Sequence, residues 1–210
     1  GLILLFAWDF LTTLLPDGLV TGMLILILVI INGGLHIDGF ADTVDGLAGG
    51  KTPADRLRIM KDSSTGAIGA AYVALLFLIK FLALNEMPYE VKASAIVAFP
   101  IAGRWAMVPL AHLLPYARPE GGLGAAFAGC GRAVMIKATV LAAVMVALLF
   151  GVMALALMAL LGGIIYLSAR FFRKKLGGVT GDVFGFHSEA AEVVFLILIL
   201  AMTNMLTLEE

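Results

Sequence analysis

The sequence predicts an all-α integral membrane protein, a polytopic transmembrane helical bundle of about six to seven spans. Composition is the first reason: 61% of the 210 residues are hydrophobic, whereas ordinary soluble domains are about 45–50% apolar. The second reason is the pattern, because long apolar runs, suited to the roughly 20 residues that cross a bilayer, alternate with polar, glycine-rich segments. No soluble domain interrupts them, so residues 1–210 are predicted to form a single membrane-embedded domain.

Six apolar segments are predicted to form seven membrane spans. The first, residues 1–15, ends at a Pro-Asp-Gly turn signal. It starts inside an apolar run without a Met, so we expect a further N-terminal segment before it. Residues 133–169 are too long for one crossing and are predicted to form a hairpin that breaks near Gly151. The other predicted spans cover residues 19–35, 67–84, 91–114 and 190–206.

The polar segments 36–65, 115–132 and 170–187 are predicted to be loops on one side of the membrane, because the spans between them alternate in direction. That side holds most of the basic residues, so the positive-inside rule places it in the cytoplasm. We therefore expect a protein of the prokaryotic cytoplasmic membrane whose active site faces the cytoplasm. A net charge of −1 argues against a nucleic-acid partner, and a single cysteine excludes an internal disulfide framework.

Three carboxylates, Asp38, Asp42 and Asp45, follow the second predicted span at spacings of four and three residues. On a helix they share one face, where three anions repel one another unless a cation lies among them. Oxygen ligands favour a hard ion, Mg²⁺ or Mn²⁺. Because the outer two are about 10 Å apart along such a helix, two ions are predicted, as in many phosphoryl-transfer sites. In the alternative interpretation no metal is bound: Asp38 caps a helix, and Asp42 and Asp45 face water.

Further titratable candidates lie near these aspartates or in the third polar segment. Asp62 is predicted to be another metal ligand. The alternative is that it is an exposed loop residue that binds no metal. Asp182 is suited to bind a metal or to accept the proton of an attacking hydroxyl, and His36 to carry a proton or to orient a carboxylate. The predicted catalytic residues are therefore Asp45, Asp182 and His36, and the predicted metal ligands are Asp38, Asp42, Asp45 and Asp62.

Basic side chains and a glycine-rich loop are the candidates for phosphate binding. Arg104 lies within an apolar run, where a charge is costly, so it is expected to face the bundle interior unless it snorkels to the interface. Arg118, beside Pro119, is suited to clamp a phosphate with two hydrogen bonds. Glycine-rich turns offer backbone N–H groups to phosphate. The predicted substrate-binding residues are Lys61, Ser63, Arg104, Arg118, Gly178, Thr180 and Glu189.

Four motifs resemble those of the cobalamin synthase family, the adenosylcobinamide-GDP ribazoletransferases. They read GLHIDGFADTVDG at 34–46, MKDSSTGAIG at 60–69, YARPEG at 116–121 and GGVTGD at 177–182. The motifs follow one another in order over most of the chain. The family also has an additional N-terminal segment, which is absent from this sequence.

The resemblance implies a membrane-bound, Mg²⁺-dependent transferase that completes the nucleotide loop of adenosylcobalamin. A ribose hydroxyl of α-ribazole, or of its 5′-phosphate, would attack the phosphorus attached to cobinamide in adenosylcobinamide-GDP. GMP would leave and a phosphodiester would form. The expected partners are these two substrates and the lipid bilayer, and a homo-oligomer is a further expectation.

Two other functions fit parts of the pattern. A CDP-alcohol phosphotransferase that acts on a lipid shares spaced aspartates, but it has an Ala-Arg soon after its Asp-Gly pair, and here Gly46 is followed by Leu47-Ala48-Gly49. A membrane transporter would place its charges near the bilayer midplane between repeated halves. Here the charges gather towards one face, and the sequence shows no clear inverted repeat.

Overall fold

A computed structural model of the protein describes residues 1–62, 64–122 and 124–207, and these residues form nine helices and no strand. In chain order the helices are α1 (Leu2–Thr12), α2 (Asp17–Asn32), α3 (Leu35–Gly49), α4 (Pro53–Ile59), α5 (Ala67–Asn85), α6 (Tyr89–Leu113), α7 (Arg132–Phe150), α8 (Met153–Leu176) and α9 (Gly181–Thr207).

Five of these helices, α5 to α9, are long and apolar enough to cross a membrane. α2 and α3 together make a sixth candidate span, which is bent by 90°, and α1 is a shorter apolar helix of 11 residues. Large apolar side chains such as Leu141 and Leu148 on α7 are exposed, as lipid-facing residues must be. The protein is a polytopic helical membrane protein, which confirms the predicted fold class.

Glycines in the left-handed backbone region separate the helices at two bends. Gly33 and Gly34, with φ of 59° and 71°, end α2 and start α3. This conformation costs other residues more than glycine, so the pair makes the 90° bend possible. Gly151, with φ of 56°, separates α7 from α8. The predicted break of the hairpin near this residue is confirmed.

The predicted polar loops at 36–65 and 170–187 are largely helical, which corrects the expectation from the sequence. α3 and α4 occupy most of the first segment, while α8 continues to Leu176 and α9 begins at Gly181 rather than at residue 190. The physical reason lies in the glycines that suggested loops. Gly39 and Gly185 lie inside helices at a crossing, where a Cβ on Gly39 would be 2.9 Å from the Asp182 Cα atom.

α9 is the central helix of the bundle and packs against α3, α5, α6 and α8. It approaches α6 closely at Gly103, where a Cβ would lie 2.6 Å from Cγ of Glu192. Phe99 on α6 and Phe195 on α9 are fully buried in the hydrophobic core. The two glycine crossings therefore hold the first turns of α9 between α3 and α6, and this fixes the place where the candidate site forms.

Candidate active site

The three polar segments meet at one end of the bundle, as the alternating spans predict. A parallel bridge joins Tyr116 to Val179: the Ala117 N–H donates to the Val179 carbonyl at 2.8 Å, and the Val179 N–H donates to the Pro115 carbonyl at 2.9 Å. From α4, Arg56 donates to the carbonyl of Lys175 at 3.2 Å. These bonds join α4, the segment after α6 and the α8–α9 connection into one surface.

Two carboxylates of α3 and one of α9 gather on this surface. Asp42 lies within electrostatic reach of the like charges of Asp38, Asp182 and Asp45, and of the opposite charge of Arg118. Asp42 is half-buried and Asp38 is exposed. Like charges that are this close repel one another unless a cation lies among them. This group of carboxylates is thus the part of the surface best suited to bind a cation.

Asp182 is held in position by one residue of the second polar segment and one of its own segment. Nη2 of Arg118 donates to its Oδ2 at 2.6 Å, and the Thr180 hydroxyl donates to the same oxygen at 3.3 Å. Thr180 is buried and also accepts from the Val183 N–H at 3.2 Å, so it caps the start of α9. Gly178 packs directly against the backbone of residues 115–117. A Cβ at this position would lie 2.2 Å from the Pro115 carbonyl oxygen. Thr180 and Gly178, both predicted to bind substrate, thus shape the loop around Asp182.

Asp45, the third acid of the α3 motif, binds the start of α5. Its carboxylate accepts the N–H groups of Gly66 and Gly69, each at 2.8 Å. A Cβ on Gly69 would lie 2.3 Å from the Asp45 carboxylate, so both the acid and the glycine are needed for this contact. The first N–H groups of a helix have no partner within it, and Asp45 supplies one from another helix.

We predict that Asp45→Asn lowers the free energy of unfolding by about 1–2 kcal/mol, the usual effect of losing a helix cap or a charged hydrogen bond. Thermal unfolding in detergent checks this. Asp42→Asn is the matched comparison, because Asp42 has like-charged neighbours and its replacement should not lower the melting temperature. Equal melting temperatures for Asp45→Asn and the unchanged protein would contradict the capping role.

A cavity of about 630 Å³ opens beside the carboxylates. Its charged and titratable lining residues come from α3, α6, the 116–121 motif and the start of α9, and they include His36, Asp38, Arg104, Arg118 and Asp182. Nδ1 of His36 is buried and has no hydrogen-bond partner among the described residues. Four predicted regions, namely the α3 motif, Arg104, the 116–121 motif and the start of α9, therefore contribute to one cavity.

A second, open groove of about 290 Å³ lies on the other side of Arg118. Arg58 and Lys61 also line it, and Lys61 pairs with Glu120 at 3.3 Å between exposed side chains. An exposed pair of this kind adds little stability, so Lys61 is easily recruited by an anionic ligand. Arg118 is the one side chain that lines both the cavity and the groove in the part of the chain described here.

Asp62 is exposed and lines neither space. Its Oδ1 accepts the hydroxyl and the backbone N–H of Ser64, at 2.6 and 3.0 Å, and the hydroxyl in particular holds the pKa of Asp62 below its ordinary value. Ser63 lies outside the described residues. Within them, no three His, Cys, Asp or Glu side chains lie close enough together to hold a metal by themselves.

A buried group of charges lies behind the cavity, between α5, α6 and α9. Nζ of Lys80 donates to Glu189 at 2.6 Å and to Glu192 at 2.7 Å, and Arg104 donates to Glu192 at 3.1 Å and to Ser188. Lys80 and both glutamates are almost fully buried. Two cations thus balance two anions, and Glu192 orients the guanidinium of Arg104, which lines the cavity.

This charge group was only partly visible in the sequence. Glu189 was predicted to bind substrate, but the structure places it against Lys80 and outside the cavity lining. Lys80 was missed altogether. The signal for it was a lysine in the middle of an otherwise apolar span, which in a membrane needs a buried partner.

Residues 1–200 match the family model described as cobalamin-5-phosphate synthase, CobS. The chain belongs to the cobalamin-5-phosphate synthase family. The resemblance predicted from the four motifs is therefore confirmed, and all four lie within the matched residues.

Curated relatives in this family are named adenosylcobinamide-GDP ribazoletransferase. The protein of Desulforamulus reducens is 40% identical over 181 residues, which cover 85% of this chain and 73% of the relative. That of Syntrophobacter fumaroxidans is 37% identical over 201 residues, 93% of this chain and 81% of the relative. The protein of Chlorobium phaeobacteroides is 40% identical over 181 residues, which cover 84% of this chain and 73% of the relative. No solved structure matches this chain.

Proposed function

We propose that this protein transfers the cobinamide-phosphate group of adenosylcobinamide-GDP to α-ribazole or α-ribazole 5′-phosphate. The products are adenosylcobalamin, or its 5′-phosphate, and GMP. The observation that carries the proposal is the meeting of Asp38 of α3 with Asp182 and Arg118 in the lining of one cavity of about 630 Å³, in a chain whose family relatives bear this activity in their names.

The chain's own residues supply the binding and proton-transfer groups of this reaction. Arg118, between cavity and groove, is placed to bind the diphosphate, and Lys61 and Arg58 to bind the departing nucleotide. The ribose hydroxyl oxygen bonds to the cobinamide phosphorus while the bond from that phosphorus to the GMP oxygen breaks. Asp38 or Asp182 accepts the hydroxyl proton, and GMP leaves through the open groove.

The carboxylates also fit Mg²⁺, or Mn²⁺, by their chemistry. Because the described residues do not assemble three ligands, we propose that Asp42 with Asp38 or Asp182 would hold the ion, and that phosphate oxygens and water complete its shell, as is usual for Mg²⁺. When bound, the ion neutralises negative charge on the diphosphate and on the leaving group. Asp45 is left out of this proposed set because its carboxylate already accepts two backbone N–H groups.

The proposed site faces the cytoplasm. The end of the bundle that holds the cavity also carries basic residues of α4, of the 115–132 segment and of the last turn of α8, namely Arg56, Arg58, Lys61, Arg118, Arg132, Arg173, Lys174 and Lys175. The positive-inside rule assigns such an end to the cytoplasmic side of the membrane.

The test is GMP release by the purified protein in detergent, given adenosylcobinamide-GDP and α-ribazole with either Mg²⁺ or EDTA. We expect GMP only when ribazole and Mg²⁺ are both present. Ribazole-dependent release in EDTA would contradict the proposed ion but leave the transfer intact. CMP release from a CDP-alcohol and a lipid acceptor, without GMP release in the first assay, would contradict the transfer itself.

A further inference from the structure

The lining of the cavity beside the carboxylates has a charged part and an apolar part. In the charged part, Arg118 and Asp182 are hydrogen-bonded to each other. The apolar part comes from α6, the segment before α7, the start of α7 and α9, and it includes Met107, Val108, Ala111, Phe127, Val134 and Phe184. A cavity with a large apolar wall and a few polar groups is typical of sites for small organic ligands.

The cavity as a whole is large enough to hold a nucleoside. The whole cavity, about 630 Å³, lies within the range of roughly 300–1,000 Å³ found for small-molecule sites. A corrinoid with its amide side chains and axial ligand is larger than that range. A GDP group is charged, and the cations of the open groove suit it better than an apolar wall does.

Resting on the proposed function, we propose that the apolar part of the lining is the binding site for the aromatic base of α-ribazole. The benzimidazole lies between α6 and the Phe127 and Phe184 rings, and the ribose lies beside the charged residues. This orientation follows from the chemistry of the nucleoside, because its base is flat and apolar while its hydroxyls need polar partners. It also brings a ribose hydroxyl to Asp38 and Asp182, where the phosphorus must be attacked.

Ala111 is the residue that sets how much room the base has. Its side chain lines the cavity one helical turn after Met107, on the same face of α6. Its carbonyl accepts the N–H groups of Gly129 and Cys130 at 2.7 and 3.3 Å, so the neighbouring backbone is fastened to α6 and cannot easily move aside. A larger side chain at this position would therefore occupy space that the base needs.

The experiment measures KM for both substrates in Ala111→Leu. We expect KM for α-ribazole to rise roughly tenfold or more, as overpacking costs imply, while KM for adenosylcobinamide-GDP changes less than twofold. Ala74→Leu, which adds the same atoms to an exposed position of α5, is the control and should change neither. A rise in KM for adenosylcobinamide-GDP instead, or no change in either KM, would overturn the inference.

A second variant keeps the inference testable if Ala111→Leu does not fold. Met107→Ala enlarges the same wall, and we expect it to raise kcat/KM for a ribazole analogue with an extra fused ring relative to kcat/KM for α-ribazole. An unchanged ratio would overturn the inference. If the wild-type protein is active and both variants keep its ribazole kinetics, the base site is refuted but the proposed function is not. If the wild-type protein shows no ribazole-dependent GMP release, the proposed function is refuted as well.

Discussion

Replacement of Asp42 by asparagine is expected to lower the rate of GMP release by about 100-fold or more, the usual effect of removing one charge-stabilising group from an active site. The substitution preserves shape and removes one negative charge from the group formed with Asp38 and Asp182. The loss follows because the proposed ion and the diphosphate both depend on that charge. Initial rates at saturating substrate, with Mg²⁺ from micromolar to high millimolar, are the measurement.

The matched control is Asp17→Asn. Asp17 is an exposed aspartate in the first turn of α2, at the end of that helix away from the carboxylates, and its replacement should leave the rate unchanged. Partial recovery of Asp42→Asn at high Mg²⁺ would agree with weakened ion binding. A near-normal rate at ordinary Mg²⁺ would show that Asp42 has no part in the reaction.

Replacement of Lys80 by methionine is expected to lower the free energy of unfolding by about 3–5 kcal/mol, as is found when one partner of a buried ion pair is removed. Lys80 is 1% exposed and is held by Glu189 and Glu192 at 2.6 and 2.7 Å. Without it, Glu192 keeps Arg104 as its cation, while Glu189 loses the only ion pair that it makes among the described residues. Unfolding of the detergent-solubilised protein by a denaturing detergent measures the change.

Two further variants separate charge balance from lost packing. Lys137→Met removes an exposed lysine from α7 and should change stability by less than about 0.5 kcal/mol. Lys80→Met combined with Glu189→Gln removes one cation and one anion, so that Arg104 and Glu192 remain as a balanced pair. We expect the double variant to be more stable than Lys80→Met alone. Full stability of Lys80→Met would contradict the buried network.

Much of the fold follows from local features of the sequence. Apolar runs of bilayer length mark the spans because every backbone polar group in lipid must be bonded within its own helix. The break at Gly151 and the helical face shared by Asp38 and Asp42 are equally local, since they depend on backbone conformation and on a period of 3.6 residues. These features agree with the structure.

The errors concern contacts between distant parts of the chain. Gly185 lies in the third predicted loop, but it is helical because α9 crosses α3 there, next to Gly39, and tertiary packing outweighs helix propensity at such places. Asp45 shares a face with its neighbours in sequence, yet it binds the amides that begin α5. Neither the crossing nor the pairing of Lys80 with glutamates of α9 leaves a local pattern.

The most direct test of the proposed reaction is the amount of new corrinoid product formed for each GMP released. Purified protein would be given adenosylcobinamide-GDP, α-ribazole and Mg²⁺, and GMP and adenosylcobalamin would be quantified by mass spectrometry. We predict one adenosylcobalamin for each GMP, and neither product without ribazole. GMP released without ribazole, or without a matching corrinoid phosphodiester, would show that this site hydrolyses the diphosphate or performs another reaction.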